Sequence, residues 1–427
     1  MLENFFKKIS LIIKDKTLRK RILFVAGALV IFRLLSTIPV PGIDPAKLQA
    51  FFNSPVGDIF GLFNIFSGGG LSTLSIVMLG VGPYITASIV MQLLTMIFPK
   101  LKEMYQEEGE AGRAKFTQYS RLLTIPLALI QGGGFLLLLE KSGVVTQLGL
   151  MGMITNIMVV IAGSVLLMWI GELMTEFGIG NGTSLIIFAG IVARIPTIIG
   201  QALVTFSPGQ IPLYIAFAVI AVLIVIGVVV VTEAERPIPV TYAKRVRGNK
   251  VYGGVSTYLP LRVNQAGVIP IIFALSILLF PQMIFQFLTS SIPTGIGHTI
   301  SSFILDILKN GWFYSIFYFI LVFLFTYFYT AVTFDPHAIS ENLQKNGAFI
   351  PGVRPGQSTS EYIGKVLTRI TLVGATFLGF IAVLPLAMKA VTGIQSLAIG
   401  GTALLIVVSV VIDLMKKIDA QVSMREY

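Results

Sequence analysis

The chain has 427 residues, 55% of them apolar and only 12% charged, with a mean hydropathy of +0.87 and a formal net charge of +11. Soluble globular chains carry about 25% charged residues, so too little polar surface is present to cover this one in water, and the bilayer is its expected solvent. There is no cysteine, which excludes disulfides, thiolate chemistry and Cys-built metal sites.

Residues 1–21, "MLENFFKKISLIIKDKTLRKR", are amphipathic and basic. They lack a small-residue cleavage site behind an apolar core, so they read as a retained cytoplasmic segment. They form either a surface helix or a helix lying on lipid headgroups.

Apolar runs bounded by charge, Pro or Gly predict ten membrane spans, near 22–41, 72–98, 117–139, 151–175, 183–203, 211–232, 265–288, 312–334, 369–391 and 395–415. Between the first two lies "VGDIFGLFNIFS", 56–67. Twelve helical residues reach only about 18 Å, against a hydrocarbon core of about 30 Å, so this segment cannot span. Three glycines follow it, Gly68 to Gly70, where the backbone can take angles that other residues resist.

Lys and Arg gather in the N-terminal segment, in the loops after spans two, six and eight, and at the C-terminus. The alternate loops are poor in them, which places both termini in the cytoplasm. Two of the basic loops are long. Residues 235–264 carry β-leaning runs on either side of "RGNK", the pattern of a basic hairpin. Residues 335–368 begin as a helix and end in a Pro/Gly-rich tip, "IPGVRPG". Two such loops on one face predict a docking surface for an acidic partner or nucleic acid.

Span two opens "GVGPYITASIV" and span seven "GVIPIIFALSI". Ten spans divide into five and five, and an odd number per half inverts the second half. Glycine- and proline-interrupted spans in matching places point to the transport path of an inverted-repeat protein.

The chemistry of an enzyme is missing. The two histidines, His298 and His337, are both predicted in loops, and the chain has no HExxH, no Walker A lysine loop and no GxSxG. The carboxylates near spans lie at span ends, and Arg33 and Arg194 sit where they can snorkel to the interface. Mid-span polar residues are neutral: Thr86, Gln92, Asn156, Ser164, Thr371 and Thr402. They can join helices by hydrogen bonds. Val81 and Ile85 share one helical face, as do Thr183 and Ile187. Such side chains pack helices together, or, met around a constriction, make a dry ring that strips a bare ion of hydration without compensation. The residues alone leave a channel and an inverted-repeat transporter of a small solute or lipid both open, and predict neither metal nor cofactor.

"GVGPYITASIVMQLL", "EGEAGRAKFTQYSR", "GIGNGTSLIIFAGIV", "STYLPLRVNQAGVIP", "GAFIPGVRPGQST" and "GGTALLIVV", in that order, resemble the SecY family, the central subunit of the bacterial protein-conducting channel. The resemblance implies an all-α polytopic membrane protein with ten transmembrane helices in two pseudo-symmetric inverted halves around an hourglass pore. The halves would be 22–203 (spans one to five) and 204–415 (spans six to ten), with a tail at 416–427. It implies a pore ring of Val81, Ile85, Thr183, Ile187, Ile272 and Ile406, with Thr183 departing from the usual large aliphatic. It implies a plug at 56–70 bearing Phe60, Phe63, Ile65 and Phe66 on the hinge Gly68, Gly69 and Gly70. A lateral gate between spans two and three and spans seven and eight would carry Thr86, Gln92, Gln131 and Asn264. Lys244, Arg245, Arg247, Lys250 and Arg354 would dock the SecA ATPase or the ribosome and its RNA. Further implied partners are a SecE-type subunit, a SecG-type subunit, membrane lipids and precursor or nascent polypeptides with a signal sequence. The location implied is the bacterial cytoplasmic membrane, and the function is passage of unfolded secretory chains, with apolar segments released sideways into lipid.

Overall fold

The computed structural model describes residues 15–44, 47–48, 51, 67, 69–145, 149–197, 200, 211–242, 245–247, 250–252, 256–291, 295–392 and 400–426. The architecture is helical and polytopic, with two small β-sheets. A helix coincides with each of the ten predicted spans. They are α1 (Lys16–Leu35), α2 (Gly82–Ile97), α4 (Gly109–Lys141), α5 (Leu150–Phe177), α6 (Gly182–Val192), α7 (Ile211–Glu233), α8 (Ile269–Ser291), α10 (Gly311–Thr333), α12 (Gln357–Thr392) and α13 (Gly400–Glu426). Among the described residues, α4, α5, the stretch from Gly311 and α12 are each long and apolar enough to cross a membrane alone. At 23 residues each, α7 and α8 are about 34 Å long, which also suffices.

Local chemistry sets the helix ends. The Asp15 carboxylate accepts from the Thr17 and Leu18 amides and starts α1. The Asn181 side chain accepts from the Ser184 amide and starts α6. α2 turns into α3 (Pro99–Gln106) with a bend of 114°. Pro99 has no amide hydrogen and drives Phe98 to an extended φ of −107° and ψ of 107°, so the helix must break there.

Two span boundaries differ from the sequence reading. The second span was expected from residue 72, but its helix starts only at Gly82. Residues 69–81 are successive turns, because Gly80 (φ 58°) and Leu74 (φ 43°) are left-handed and Pro83 suits only a first helical turn. The fifth span, expected over 183–203, is continuous only from Gly182 to Val192 before a turn at Ala193 and Arg194. At the other extreme α4 and α12 run 33 and 36 residues, well past the apolar stretch that marked them.

Two compact units are present. The first holds Met1–Pro212, Ser276–Asn310 and Val410–Tyr427. Its core joins Val40, Leu71, Leu74, Met78 and Leu79 to Phe135, Leu136, Leu139 and Val160. The segment after α1 pairs with the turn region through Val40 N to Leu74 O at 2.8 Å and Ile76 N to Ile38 O at 2.9 Å. The second unit holds Leu213–Leu275 and Gly311–Ser409. There α10 packs along α12, and Gly379 lets the Phe319 ring approach.

The second unit also carries a three-stranded sheet in the order β4-β1-β5. β1 (Glu235–Tyr242) pairs antiparallel with β4 (Ser256–Arg262) and, on its other edge, with β5 (Ala348–Phe349). β2 (Arg245–Arg247) and β3 (Lys250–Tyr252) pair antiparallel, the basic hairpin expected around "RGNK".

Candidate functional site

Residues 69–81 are irregular backbone inside a membrane protein, which is tolerated only where protein covers it. Protein does cover it: Leu71, Leu74, Val77, Met78, Leu79 and Val81 are all fully buried. α5 supplies the cover. Gly163 brings its backbone against the Ile76 carbonyl so closely that a Cβ would collide with it. Ser164 Oγ donates to Gly80 O at 3.1 Å, and Asn156 Nδ2 donates to Pro41 O at 3.2 Å. Two mid-span polar residues of α5 thus satisfy carbonyls of irregular backbone, Gly80 O in the turns and Pro41 O in the segment after α1.

Of the predicted glycine hinge, Gly69 and Gly70 are described, while Phe60, Phe63, Ile65, Phe66 and Gly68 lie outside the described residues. The two glycines serve different needs. Gly69 has φ 87°, a conformation that an L side chain adopts only under strain, yet a Cβ there would have room. Its nearest neighbours would be the Arg194 stem and Arg33 Nη1, each at 3.8 Å, so the two arginines flank the hinge. A Cβ on Gly70 would lie 2.8 Å from Ser75 Oγ and 3.2 Å from Val77 O, so space is what Gly70 provides.

Val81 is the residue at which turns give way to α2, and Ile85 follows one turn on, its amide donating to Val81 O at 3.0 Å. In α6, Ile187 is buried and Thr183 half-buried. The Thr183 hydroxyl donates to Asn181 Oδ1 at 2.6 Å, and its methyl faces Gly171 of α5. The polar part of Thr183 is therefore engaged by its own helix cap. α6 is fastened to α5 by Gly182 N donating to Thr175 Oγ1 at 2.9 Å. In the second unit Ile272 and Ile406 are buried on α8 and α13.

The predicted gate residues have a common feature. Gln92, Gln131 and Asn264 each hold a buried side-chain oxygen without a hydrogen-bond partner among the described residues. Asn264 Nδ2 donates to Gly267 O at 3.1 Å, and Gly374 of α12 packs on the neighbouring Val263 carbonyl. Thr86 instead donates to Gly82 O of its own helix at 3.0 Å. An unpaired buried amide oxygen costs about 1–3 kcal/mol, so these side chains hold unspent hydrogen-bonding capacity.

The basic loops meet in the sheet. In the 335–368 loop α11 (Pro336–Lys345) precedes β5, which pairs with β1 of the 235–264 loop, over a core of Ile238, Val240, Leu261, Ala348, Ile350 and Ile363. Arg245, Arg247 and Lys250 lie on the hairpin strands, with Arg247 opposite Lys250 in register; Lys244 lies outside the described residues. Arg354 is exposed on a tip held by Thr359 Oγ1 donating to Arg354 O (2.8 Å) and Ser340 Oγ donating to Gly356 O (2.6 Å). Gly352 (φ 81°) and Gly356 (φ 96°) make the two left-handed turns of that tip.

With this geometry, comparison with known proteins is decisive. A family model described as SecY matches residues 75–415. The protein translocase subunit SecY of Corynebacterium glutamicum is 42% identical over 435 residues, covering 97% of each chain.

The chain belongs to the SecY family.

The protein translocase subunit SecY of Mycobacterium bovis is 41% identical over 96% of each chain. That of Vibrio cholerae is 41% identical over 96% of this chain and 93% of its own. Among solved structures, a protein-conducting channel superposes with a TM-score of 0.68 at 20% identity, over 97% of this chain and 94% of that one. Sec61 of a canine ribosome-channel complex gives 0.64 at 19%, with the same coverage. SecY membership makes the chain a channel subunit of a protein translocase, located in a membrane, and decides against both an enzyme and the solute or lipid transporter.

Sequence reasoning missed the union of the two basic loops, because β5 is only two residues long and carries no strand signal of its own. It also read Ser164 and Asn156 only as general helix-joining groups. That Gly163 and Ser164 are adjacent, one small and one polar, was the available sign that α5 receives a backbone.

Proposed function

We propose that the chain passes unfolded secretory polypeptides across a bacterial cytoplasmic membrane, with both termini cytoplasmic, and releases apolar segments sideways into lipid. Val81, Ile85, Thr183, Ile187, Ile272 and Ile406 form the constriction, and the segment 56–70 is the plug on its outer side. The observation that carries this reading is the turn-built segment 69–81. It is irregular backbone buried against α5, and it delivers Val81 to the head of α2, with Ile85 one turn further on.

A dry aliphatic constriction blocks ions because a bare ion there loses hydration and gains nothing. A polypeptide can slide past because such side chains offer it no specific hydrogen bonds. Gln92, Gln131 and Asn264, with Thr86, act at a lateral gate, where their unpaired oxygens exchange surroundings and take new partners when a signal helix wedges the gate open. The sheet that unites the two basic loops is the docking platform for SecA or the ribosome. Arg354 and the hairpin cations bind carboxylate or phosphate there. SecE-type and SecG-type subunits complete the assembly. The channel itself hydrolyses nothing, and directional work comes from the docked partner.

The test is a photo-crosslinker at Ile187 or Ile272 with a secretory precursor stalled midway. Crosslinks from either position to the stalled chain are expected. An engaged complex that gives none from both positions overturns the channel path drawn here. Deleting 58–66 should make the resting channel leak ions; a deletion no leakier than the intact protein leaves the aliphatic ring as the whole seal.

A further inference from the structure

α9 (Ile296–Lys309) links α8 to α10. Its 14 residues reach about 21 Å, too short to cross a bilayer. The connections at its two ends are short, residues 292–295 before it and Asn310 after it. A helix so tethered between the ends of two spans lies at a membrane surface.

At 100° per residue, Phe303, Ile296, Ile300, Ile304, Leu308 and Leu305 form an apolar arc of about 200°. His298, Ser302 and Asp306 occupy the remaining side. Protein covers one margin of the arc, where Leu305 and the adjoining Ser301 are buried. The other margin is bare: Ile296, Ile300 and Phe303 are 81%, 52% and 65% exposed. Three large apolar side chains on one stripe need a cover.

The chain shows what that cover is. In sequence α9 is followed at once by α10, whose own exposed apolar residues are Trp312 and Phe313 at its head and then Ile316, Ile320 and Leu324 at four-residue spacing, the outward stripe of a span. Trp312 stands at the head of that span, where tryptophan marks the membrane–water boundary.

We propose that α9 is an interfacial helix that sinks Ile296, Ile300 and Phe303 into the headgroup–acyl boundary of one leaflet, with lipid as the occupant of the bare stripe. The inference rests on α8 and α10 spanning the bilayer. As their covalent link, α9 holds the adjoining ends of both spans at a set depth, and displacement of either end drags the stripe through the leaflet.

The absence of cysteine makes the test direct, since a single introduced cysteine takes an environment-sensitive fluorophore at one place. The full chain, assembled in vesicles of phosphatidylethanolamine and phosphatidylglycerol, is labelled at Ile300→Cys, Phe303→Cys, Asp306→Cys or Ile320→Cys. Lipids with a nitroxide near the headgroup should quench labels at 300 and 303 about threefold more than at 306, and aqueous iodide should show the reverse order. The label at 320 should be quenched by lipid with a deeper nitroxide. Quenching at 320 without quenching at 300 and 303 overturns the interfacial helix and leaves the channel reading standing. Blue-shifted emission at 300 and 303 that neither quencher reaches overturns lipid as the occupant and assigns the stripe to protein. Failure at 320 removes the span itself and the inference with it.

Discussion

Ser164 donates a hydrogen bond to the carbonyl of Gly80 at 3.1 Å, across 84 residues of chain. One residue earlier, Gly163 lies against the Ile76 carbonyl with no space for a methyl group. α5 thus grips the turns at two successive positions, by an acceptor it satisfies and by a gap it leaves. Gly163→Ala should force these backbones apart, at a cost of about 1–3 kcal/mol. Ser164→Ala leaves Gly80 O buried and unpaired, a penalty of similar size. Thermal midpoints of the purified, membrane-embedded variants check this, and an unchanged midpoint for Gly163→Ala removes the grip.

Gly69 and Gly70 separate two kinds of glycine requirement. At Gly69→Ala the cost is backbone strain of about 1–2 kcal/mol, with no collision. At Gly70→Ala the cost is steric, because Ser75 Oγ stands 2.8 Å from the new methyl. Adding Ser75→Ala should therefore relieve Gly70→Ala and leave Gly69→Ala unchanged. A double-mutant cycle on thermal midpoint reads this directly; equal relief of both would show that the two glycines share one cause.

The contrast between the wall and its hinge explains what the sequence could and could not say. Hydropathy predicted a span wherever one of the long apolar helices lies, because apolar length is what a bilayer selects. It misplaced the start of α2 by ten residues, since residues 72–81 are as apolar as a span but are kept non-helical by Gly80, Leu74 and Pro83. Apolar content reports burial and says nothing of backbone shape. The hairpin was legible from the β-leaning runs around "RGNK". β5 was not, since two residues form a strand only when β1 offers an edge. The unpaired oxygens of Gln92, Gln131 and Asn264 were equally illegible, because pairing depends on neighbours brought from elsewhere in the chain.

Gln131 gives the simplest test of stored polarity at the gate. Its amide oxygen is buried and unpaired, so Gln131→Leu removes a penalty and keeps the volume. The resting protein should gain about 1–3 kcal/mol of stability. Opening should then require a more hydrophobic signal sequence, because the closed state no longer carries the desolvation penalty that opening relieved. Export of precursors with graded signal hydrophobicity measures this threshold. A variant that is more stable with an unshifted threshold keeps Gln131 as a packing residue and takes it out of the gate. Asn264→Leu should shift the same threshold, while also freeing the Gly267 carbonyl that Asn264 now satisfies.

Arg354 and Thr359 distinguish charge from presentation at the docking tip. Arg354→Ala deletes the cation and leaves the loop intact, whereas Thr359→Ala keeps the cation and cuts the 2.8 Å bond that holds its carbonyl. Charge-assisted contacts contribute about 1.5–3 kcal/mol. Binding of SecA or ribosomes to vesicles bearing Arg354→Ala should therefore fall about tenfold or more, with a weaker salt dependence. Thr359→Ala should weaken binding less and leave the salt slope unchanged, since every charge is still present and only the fixed geometry of the tip is lost. Arg354→Lys decides between point charge and fork: recovery of full affinity would mean that any cation suffices, and a persistent loss would mean that the planar guanidinium pairs two acceptor oxygens at once. The sheet formed by β1, β4 and β5 makes this comparison clean. It holds the base of the tip to the other basic loop through hydrogen bonds that none of the three substitutions touches.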